Sequence, residues 1–347
     1  MLVNRFPSRK IIVDDQKYLY FGGTSYLGLP TNKKFLKIIT ENLLTWGSSY
    51  GSSRNANIKL SAYSQAEIFL AEFIKSESAL TISSGMLAGK IVIAVLKNQT
   101  DSFFHFPNLH DALKTENSQP ILIDGKLNEK LLNDVSEKIT ILTDGVPSSF
   151  VKPIDFDILT QIPKNKEITL VIDESHSLGI VGENGCGIFS NINLPNIKRK
   201  IMIASLGKAL GLTGGLIGGD AQFINDLRNN NSFISAAGMN PAFANSLSSA
   251  KDLIIKQHRK LKKNLHYINK NLIKSPSIDF DENYPLLYPK IKNVYQILKE
   301  QKIIITNFPY PNEAGELNRI VITANHKKKD LDKIILILNH ENKKTQT

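Results

Sequence analysis

Short apolar, β-rich runs alternate with helical stretches between residues 77 and 219. Regular alternation of this kind predicts an α/β layer in which a mostly parallel sheet is flanked by helices. Ligands of open α/β sheets bind at the carboxyl ends of the strands, so the polar residues that follow these runs are the candidates for a site. The predicted strands are residues 79–83, 102–106, 120–123, 139–143, 168–173, 201–205 and 216–219.

The remaining sequence predicts a second, smaller α+β domain. A long helix is expected from about residue 241 to 274, followed by strands at 303–306 and 319–323 and an amphipathic helix at 331–338. A length of 347 residues also suits two domains. The expected division is an N-terminal segment at residues 1–40 that contributes to the small domain, a large domain at 41–240 that carries the candidate site, and the long helix with the small domain at 241–347.

Composition narrows the class of protein. The chain is 41% hydrophobic and 22% charged, it has no apolar run long enough to span a bilayer, and its first ten residues are too polar for a signal peptide. Cys186 is the single cysteine, so no internal disulfide can form and a cytoplasmic location is expected. The net charge of +11 lies largely on predicted helix faces without interleaved aromatic residues. We therefore expect no nucleic-acid partner and no membrane span.

Asp173 and His176 stand three residues apart where an apolar strand ends, in the run Leu170-Val-Ile-Asp-Glu-Ser-His-Ser-Leu-Gly179. A carboxylate at this point can hold a cationic heterocyclic nitrogen, and an imidazole can bind a phenolic oxygen. The plain structural interpretation is a capping aspartate and a histidine satisfied by its neighbours. This segment alone leaves both interpretations open.

Lys208 stands among small and apolar residues, in the glycine-rich run Ile203-Ala-Ser-Leu-Gly-Lys-Ala-Leu-Gly-Leu-Thr-Gly-Gly215. Most lysines are solvated, so a lysine in these surroundings needs a reason. Desolvation frees a lysine amine as a nucleophile, which Schiff-base chemistry requires. A phosphate-binding P-loop is excluded because Met202 and Ala209 stand where that motif needs a glycine and a serine or threonine.

The Ser83-Ser84-Gly85 segment joins a predicted strand to a predicted helix. Amides at a helix start, together with hydroxyl groups, suit a phosphate ester. An ordinary N-cap explains the same residues equally well. The three segments together provide a partner for each part of one cofactor, pyridoxal 5'-phosphate (PLP): its phosphate, ring nitrogen, ring oxygen and aldehyde.

Further segments extend the pattern over most of the chain. They are Tyr26-Leu-Gly-Leu29, Ser53-Arg54 with Glu67, Ser83-Ser-Gly85, Thr143-Asp-Gly-Val-Pro-Ser148, Asp173-Glu-Ser-His176, Gly182-Glu-Asn-Gly-Cys-Gly187, Ser205-Leu-Gly-Lys208 and Arg319-Ile-Val-Ile-Thr-Ala-Asn-His326. Together they resemble the motifs of the α-oxoamine synthase family of fold-type-I PLP-dependent enzymes, in which the aspartate–histidine motif reads D-x-A-H. That family includes 8-amino-7-oxononanoate synthases and 2-amino-3-ketobutyrate CoA ligases.

The resemblance implies a role for each matching site residue. Lys208 is implied as the Schiff-base lysine and general acid/base, Asp173 as the partner of the pyridinium nitrogen, and His110 as the residue that stacks on the ring. The implied catalytic residues are Lys208, Asp173, His176 and His110. The implied cofactor contacts are Ser84, Gly85, Met86, His110, Ser148, Asp173, His176, Ser205 and Lys208, and no metal is expected.

Substrate recognition is where the sequence departs from the family. Arg319 is implied to hold the substrate carboxylate, because a planar guanidinium pairs with it bidentately; its alternative is a surface salt bridge. Ser25 stands where the family has an asparagine that contacts substrate. Tyr63 replaces a histidine, and Ala236-Ala237 replaces a Ser-Thr pair that reaches a neighbouring subunit's phosphate.

The function implied by the resemblance is a PLP-dependent acyltransferase of the 8-amino-7-oxononanoate synthase type, with a place in biotin biosynthesis. It condenses an amino acid with an acyl-thioester of CoA or acyl carrier protein, with decarboxylation to an α-aminoketone. A homodimer with a shared active site is also implied. Two alternatives stay open: an aminotransferase or lyase on the same fold, and a catalytically retired PLP-fold binding protein.

Overall fold

The computed structural model describes residues 1–309 and 316–344. It divides into two compact units, one formed by residues 34–251 and the other by residues 1–33 together with the chain from residue 252 onward. We call them the large and the small unit. The functional domain boundaries expected at residues 40 and 240 stay predictions.

The strands and helices of the described chain are numbered in sequence order. The strands are β1 (Lys10–Val13), β2 (Gln16–Phe21), β3 (Ser78–Ile82), β4 (Ser102–His105), β5 (Gln119–Pro120), β6 (Leu122–Ile123), β7 (Lys126–Leu127), β8 (Glu137–Asp144), β9 (Lys166–Asp173), β10 (Ile197–Ser205), β11 (Gly215–Gly219), β12 (Ile278–Phe280), β13 (Leu286–Pro289), β14 (Ile303–Pro309) and β15 (Glu316–Val321). The helices are α1 (Lys33–Trp46), α2 (Ser61–Ile74), α3 (Gly85–Leu96), α4 (Ala221–Arg228), α5 (Asn231–Ser235), α6 (Pro241–Ser249), α7 (Lys251–Asn271), α8 (Val294–Glu300) and α9 (Lys328–Lys344).

The large unit is built on a seven-stranded sheet with the order β3-β11-β10-β9-β8-β4-β5. β11 is antiparallel to both of its neighbours, and the other adjacent pairs are parallel. The central strand β9 has the burial pattern of a parallel sheet. Its residues Leu170, Val171 and Ile172 are all fully buried, as in strands covered by helices on both faces. The predicted α/β architecture with a mostly parallel sheet is confirmed.

Two elements differ from the sequence-based expectation. The strand expected at 120–123 is split, because Pro120 has no N–H to donate and the chain then turns back through Asp124 and Gly125, both at positive φ, as a β6–β7 hairpin. The long helix expected after residue 241 is interrupted between α6 and α7. Near this break, the side chains of Ser248 and Ser249 bond the Asn245 carbonyl and compete with regular helical hydrogen bonds.

The small unit has a six-stranded mixed sheet with the order β1-β2-β14-β15-β13-β12. His326 contacts β2 of this sheet. Its ring stacks on Phe21 with centroids 4.1 Å apart, and its Nε2 lies 2.9 Å from the Tyr20 carbonyl oxygen. Its Nδ1 accepts the Thr323 N–H at 3.0 Å. Burial lowers the pKa of His326 to about 4, so the ring is neutral at neutral pH. None of the helices in the described part of the chain is long and apolar enough to cross a membrane.

Candidate active site

The strand register of the large unit brings the predicted site segments to one edge of the sheet. Gly215 on β11 lies between Ile82 at the end of β3 and Ser205 at the end of β10. On the other side, Asp173 at the end of β9 is paired with Asp144 at the end of β8. The carboxyl ends of β3, β8, β9 and β10 therefore meet, as the sequence predicted.

The Ser-Ser-Gly turn packs tightly against the lysine segment. Ser84 caps α3, since its Oγ accepts the Leu87 N–H at 3.1 Å. A Cβ added to Gly85 would lie 2.9 Å from the Ser205 nitrogen, and one added to Gly215 would overlap the Ser84 carbonyl. The Ser84 O–H remains able to donate, as do the amides at the start of α3 that have no intrahelical acceptor. The N-cap is thus observed, and phosphate binding by the same turn stays a prediction, as does the role of the exposed Met86.

Asp173 is 5% exposed and is held from within its own turn. Its Oδ1 accepts the Ser175 N–H at 2.8 Å, and its Oδ2 lies 3.7 Å from Nδ1 of His110. That histidine nitrogen accepts the Ala112 N–H at 3.2 Å, so we assign it as unprotonated and the 3.7 Å contact is not a hydrogen bond. The His110 side chain is 40% exposed, which leaves ring surface available for a stacked partner.

Asp144 is a second buried carboxyl group beside Asp173. Its Oδ1 accepts the backbone N–H of His110 at 3.1 Å. Burial raises the pKa of Asp144 well above its usual range and the charge of Asp173 raises it further, while the His110 amide and the charge of Lys208 act in the opposite direction. Sequence reasoning assigned Asp144 no role, although it stands in the Thr143–Ser148 motif.

Lys208 lies in the turn that connects β10 to β11. The turn is closed by hydrogen bonds from the Leu206 N–H to the Gly214 carbonyl and from the Leu212 N–H to the Leu206 carbonyl, at 3.0 and 3.1 Å. Lys208 is half-buried, whereas the three leucines of the turn, at 206, 210 and 212, are buried. The positive charge of Lys208 acts to lower the pKa of Asp144.

His176 and Ser148 occupy the loops that follow β9 and β8. Both are half-buried and both make contacts with neighbouring groups. Their loops begin at Asp173 and Asp144, so the structure places them at the sheet edge that carries the lysine turn. The contact of His176 with a ring oxygen and the contact of Ser148 with the cofactor stay predictions.

Glu174, which directly follows Asp173, is a buried carboxyl group that the sequence analysis did not assign a role. It is fully buried, and its carboxylate accepts the Ser177 O–H at 2.5 Å, the Ile188 N–H at 2.8 Å and the Phe189 N–H at 2.6 Å. A Cβ at Gly187 would overlap this carboxylate, so the glycine is needed here. Burial raises the pKa of Glu174 to about 7 against the effect of these hydrogen bonds. A glutamate at the end of an apolar strand was the available signal.

The Ser53-Arg54…Glu67 motif forms a buried ion cluster. Glu67 pairs with Arg54 at 2.8 Å and with Arg228 at 2.6 Å. The Arg54 guanidinium lies 3.9 Å from the ring centroid of Tyr63, whose O–H donates to the Met239 carbonyl at 2.8 Å. The tyrosine that replaces the family's histidine therefore has a structural function. Ala236 and Ala237 lie in a non-helical segment after α5, half-buried and exposed respectively.

Arg319 belongs to the small unit, on β15, and is only 7% exposed. It is not the surface salt bridge that the sequence left open: among residues 1–309 and 316–344 no carboxylate lies within ion-pair distance, and its buried Nε has no hydrogen-bond partner. Burial acts to lower the pKa of Arg319, but Tyr26 and Tyr288 outweigh it and raise the pKa above the usual value. Ser25 precedes Tyr26 and is half-buried in the same unit.

The donors and acceptors of the large unit fit PLP. The α3 amides with the hydroxyls of Ser84 and Ser205 suit a phosphate, buried Asp173 suits a cationic ring nitrogen, and Lys208 is an amine within the same edge. The close approach of Gly85 to Ser205 shows that the Ser-Ser-Gly turn and the lysine segment are packed against each other.

Comparison with known proteins gives the same answer. Residues 51–338 match the family model described as aminotransferase class I and II. The serine palmitoyltransferase of Sphingobacterium spiritivorum is 24% identical over 94% of this chain and 87% of its own length. The 8-amino-7-oxononanoate synthase of Petrotoga mobilis is 27% identical over 93% and 88%. The solved Sphingomonas wittichii serine palmitoyltransferase superposes with a TM-score of 0.82 at 17% identity, covering 99% of this chain and 92% of that one.

Sheet order, site chemistry and these matches define the class: a fold-type-I, PLP-dependent transferase. More particularly, the chain belongs to the aminotransferase class I and II family. The curated relatives that it resembles along most of its length carry the names of α-oxoamine synthases.

Proposed function

We propose that this protein is an acyltransferase that condenses an amino acid with an acyl-thioester, of CoA or of an acyl carrier protein, and releases CO2 and an α-aminoketone. The observation that carries the proposal is the similarity to an 8-amino-7-oxononanoate synthase and a serine palmitoyltransferase along 93% and 94% of the chain. The buried aspartate and the lysine turn of the large unit support the same chemistry.

The cofactor would be held by groups at or after the carboxyl ends of five strands, β3, β4, β8, β9 and β10. Lys208 would bind it covalently, and ionised Asp173 would keep its ring nitrogen protonated. The α3 amides with Ser84 and Ser205 would bind the phosphate, with Gly85 and Met86 beside it. His110 would stack on the ring. Ser148 and His176 would bind the ring oxygen.

PLP, when bound, supplies an electron sink for the electron pair left on the amino acid's Cα. Lys208 would take the proton from Cα and later return one to it. In the net reaction Cα gains a bond to the thioester carbonyl carbon and loses its bond to the carboxylate carbon. The thiolate leaves and is protonated, so atoms and charge balance with the uptake of one proton.

Arg319 would pair with the substrate carboxylate. The buried Nε of Arg319 has no hydrogen-bond partner, and none of the described residues places a carboxylate within ion-pair distance of it. A substrate carboxylate can supply the missing counter-ion. The tyrosines around it hold the guanidinium in the charged form. Ser25 would take the position of a substrate contact.

Two broader features belong to the same proposal. We expect a homodimer in which both subunits contribute to each active site, and we expect the enzyme to act in the cytoplasm. The single, buried Cys186 suits a reducing compartment.

Thiol release decides the reaction. Purified protein loaded with PLP is incubated with glycine, alanine or serine and a series of acyl-CoA or acyl-carrier thioesters, and free thiol and CO2 are measured. Amino-acid-dependent release of both supports the proposal. Transfer of the amino group to a 2-oxo acid without thiol release would instead favour the aminotransferase alternative, which the name of the matched family model keeps open. The absence of any turnover would favour a retired binding protein.

A further inference from the structure

We propose that Ser175 is a positioning residue that ties the carboxylate of Asp173 to the lysine segment and so sets the affinity for PLP. The proposal rests on the proposed function only in naming the groups that Ser175 holds. Its contacts are a pair: the Ser175 N–H donates to Asp173 Oδ1 at 2.8 Å, and the Ser175 Oγ accepts the Ser205 N–H at 2.7 Å.

These bonds continue the parallel ladder between β9 and β10 beyond its regular end. The last paired residues are Asp173 and Ile203, and the Glu174 N–H still donates to the Ile203 carbonyl at 2.7 Å. The chain of β9 then enters a turn, in which the Ser177 N–H bonds back to the Glu174 carbonyl. The hydroxyl of Ser175 takes the place of the next backbone acceptor for β10.

Burial makes this hydroxyl hard to replace. Ser175 is 7% exposed, and its Oγ is the hydrogen-bond acceptor that the structure provides for the Ser205 amide. Ser205 is half-buried, and an alanine at position 175 leaves its amide without this acceptor. The consequence is a looser connection between the ends of β9 and β10.

Ser205 passes this constraint on to the predicted phosphate site. Its backbone nitrogen lies so close to Gly85 that an added Cβ would approach it to 2.9 Å. Its Oγ accepts the Gly207 N–H at 3.3 Å, at the start of the turn that carries Lys208. Ser175 thus links Asp173 to Ser205, and through Ser205 to the lysine turn and the Ser-Ser-Gly turn.

The test uses three substitutions at this position. Ser175→Ala removes the hydroxyl, and alanine occupies the same position in the family motif, so the variant is expected to fold. Ser175→Cys keeps the size of the side chain but offers only a weak acceptor. Ser175→Thr keeps the hydroxyl. The matched control is Ser177→Ala, which removes a buried hydroxyl two residues away that bonds Glu174.

PLP is titrated into each apoprotein, with bound cofactor followed by absorbance, and the thermal unfolding of the apoprotein is measured in parallel. We expect Ser175→Ala and Ser175→Cys to raise the Kd for PLP about tenfold, the size expected for the loss of one backbone hydrogen bond. Ser175→Thr should restore it. Ser177→Ala should lower the thermal midpoint and leave the Kd within about twofold.

A wild-type Kd in Ser175→Ala, or a Ser175→Thr variant as weak as alanine, overturns the proposal. If substitution prevents folding, hydrogen exchange of the Ser205 amide in wild-type apoprotein decides: slow exchange supports the bond, and exchange at the rate of an open loop contradicts it. The titration contains no thioester. Wild-type protein that binds PLP but releases no thiol would therefore sink the proposed reaction and leave this test intact.

Discussion

Asp144 and Asp173 are paired across neighbouring parallel strands, and both carboxyl groups are buried at the same edge of the sheet. Two carboxylates so placed cannot both ionise without mutual repulsion. Burial, reinforced by Asp173, raises the pKa of Asp144 well above its usual range, so Asp144 is the member that gives up its proton less readily. The two carboxyl groups also have different contacts: Asp144 accepts the His110 backbone N–H, and Asp173 accepts the Ser175 N–H.

The carboxylate pair predicts opposite outcomes for two matched amide substitutions. Asp144→Asn imitates the neutral acid and should keep PLP affinity near the wild-type value at neutral pH. Asp173→Asn removes the charge opposite the ring nitrogen and should weaken PLP binding by roughly 10- to 100-fold. Titration of both apoproteins with PLP measures this. Equal losses in the two variants would show that the assignment of the charged member is wrong.

Glu174 predicts a fall in stability as pH rises. Its pKa is about 7 in the folded protein against 4.5 as the ordinary value, so the unfolded chain releases its proton first. The stabilising contribution is complete below pH 4.5 and is lost as pH rises toward 7, a change on the order of 3 kcal/mol. Urea unfolding of the apoprotein across this range should lose that component in Glu174→Gln. An unchanged pH profile in the variant counts against the raised pKa.

His326 predicts the opposite slope in the small unit. Burial lowers its pKa to about 4, from an ordinary value of 6.5, so the unfolded chain takes up the proton first as pH falls. Its contribution is complete above pH 6.5 and disappears between pH 6.5 and 4, again on the order of 3 kcal/mol. His326→Gln should be less stable at pH 8 and should show a smaller loss on acidification. Titration of the His326 ring near pH 6.5 in folded protein, followed by NMR, contradicts this account.

Substitution of Gly85 is expected to disturb the packing of the cofactor site. Gly85→Ala places a methyl group 2.9 Å from the Ser205 nitrogen, so the turn must move away from β10. We expect loss of stability of about 1 to 3 kcal/mol and a weaker affinity for inorganic phosphate and PLP. Gly51→Ala is the control, because an added Cβ meets nothing within 4 Å there. Equal behaviour of the two variants would mean that the turn can yield freely.

Local pattern was enough to predict the sheet and the edge that carries the site. Strand-length apolar runs and the polar residues after them depend on periodicity, which a sequence shows directly. Asp144, Glu174 and Ser175 escaped because their importance comes from partners on other strands or loops. The Glu174 contact with Phe189 spans 15 residues and the Ser175 contact with Ser205 spans 30. Hydrophobic periodicity does not indicate contacts between residues so far apart in the sequence.

The interruption of the helix between α6 and α7 escaped for a related reason. The run from Pro241 to Asn271 is helical in composition, and the serines before the break are acceptable in a helix. Near the end of α6 the side chains of Ser248 and Ser249 both bond one carbonyl, that of Asn245. Such competition depends on side-chain geometry that composition does not contain.

The most direct measurement of the central claim is borohydride reduction of the PLP-loaded enzyme, followed by peptide mass spectrometry. We predict a pyridoxyl group on Lys208 in wild-type protein and in Lys198→Ala, a control that removes an exposed lysine from β10. Lys208→Ala should carry no such group while its thermal stability as apoprotein stays close to wild type. A pyridoxyl group on another lysine of the wild-type protein, or its persistence in Lys208→Ala, would contradict the assignment of the cofactor-binding lysine.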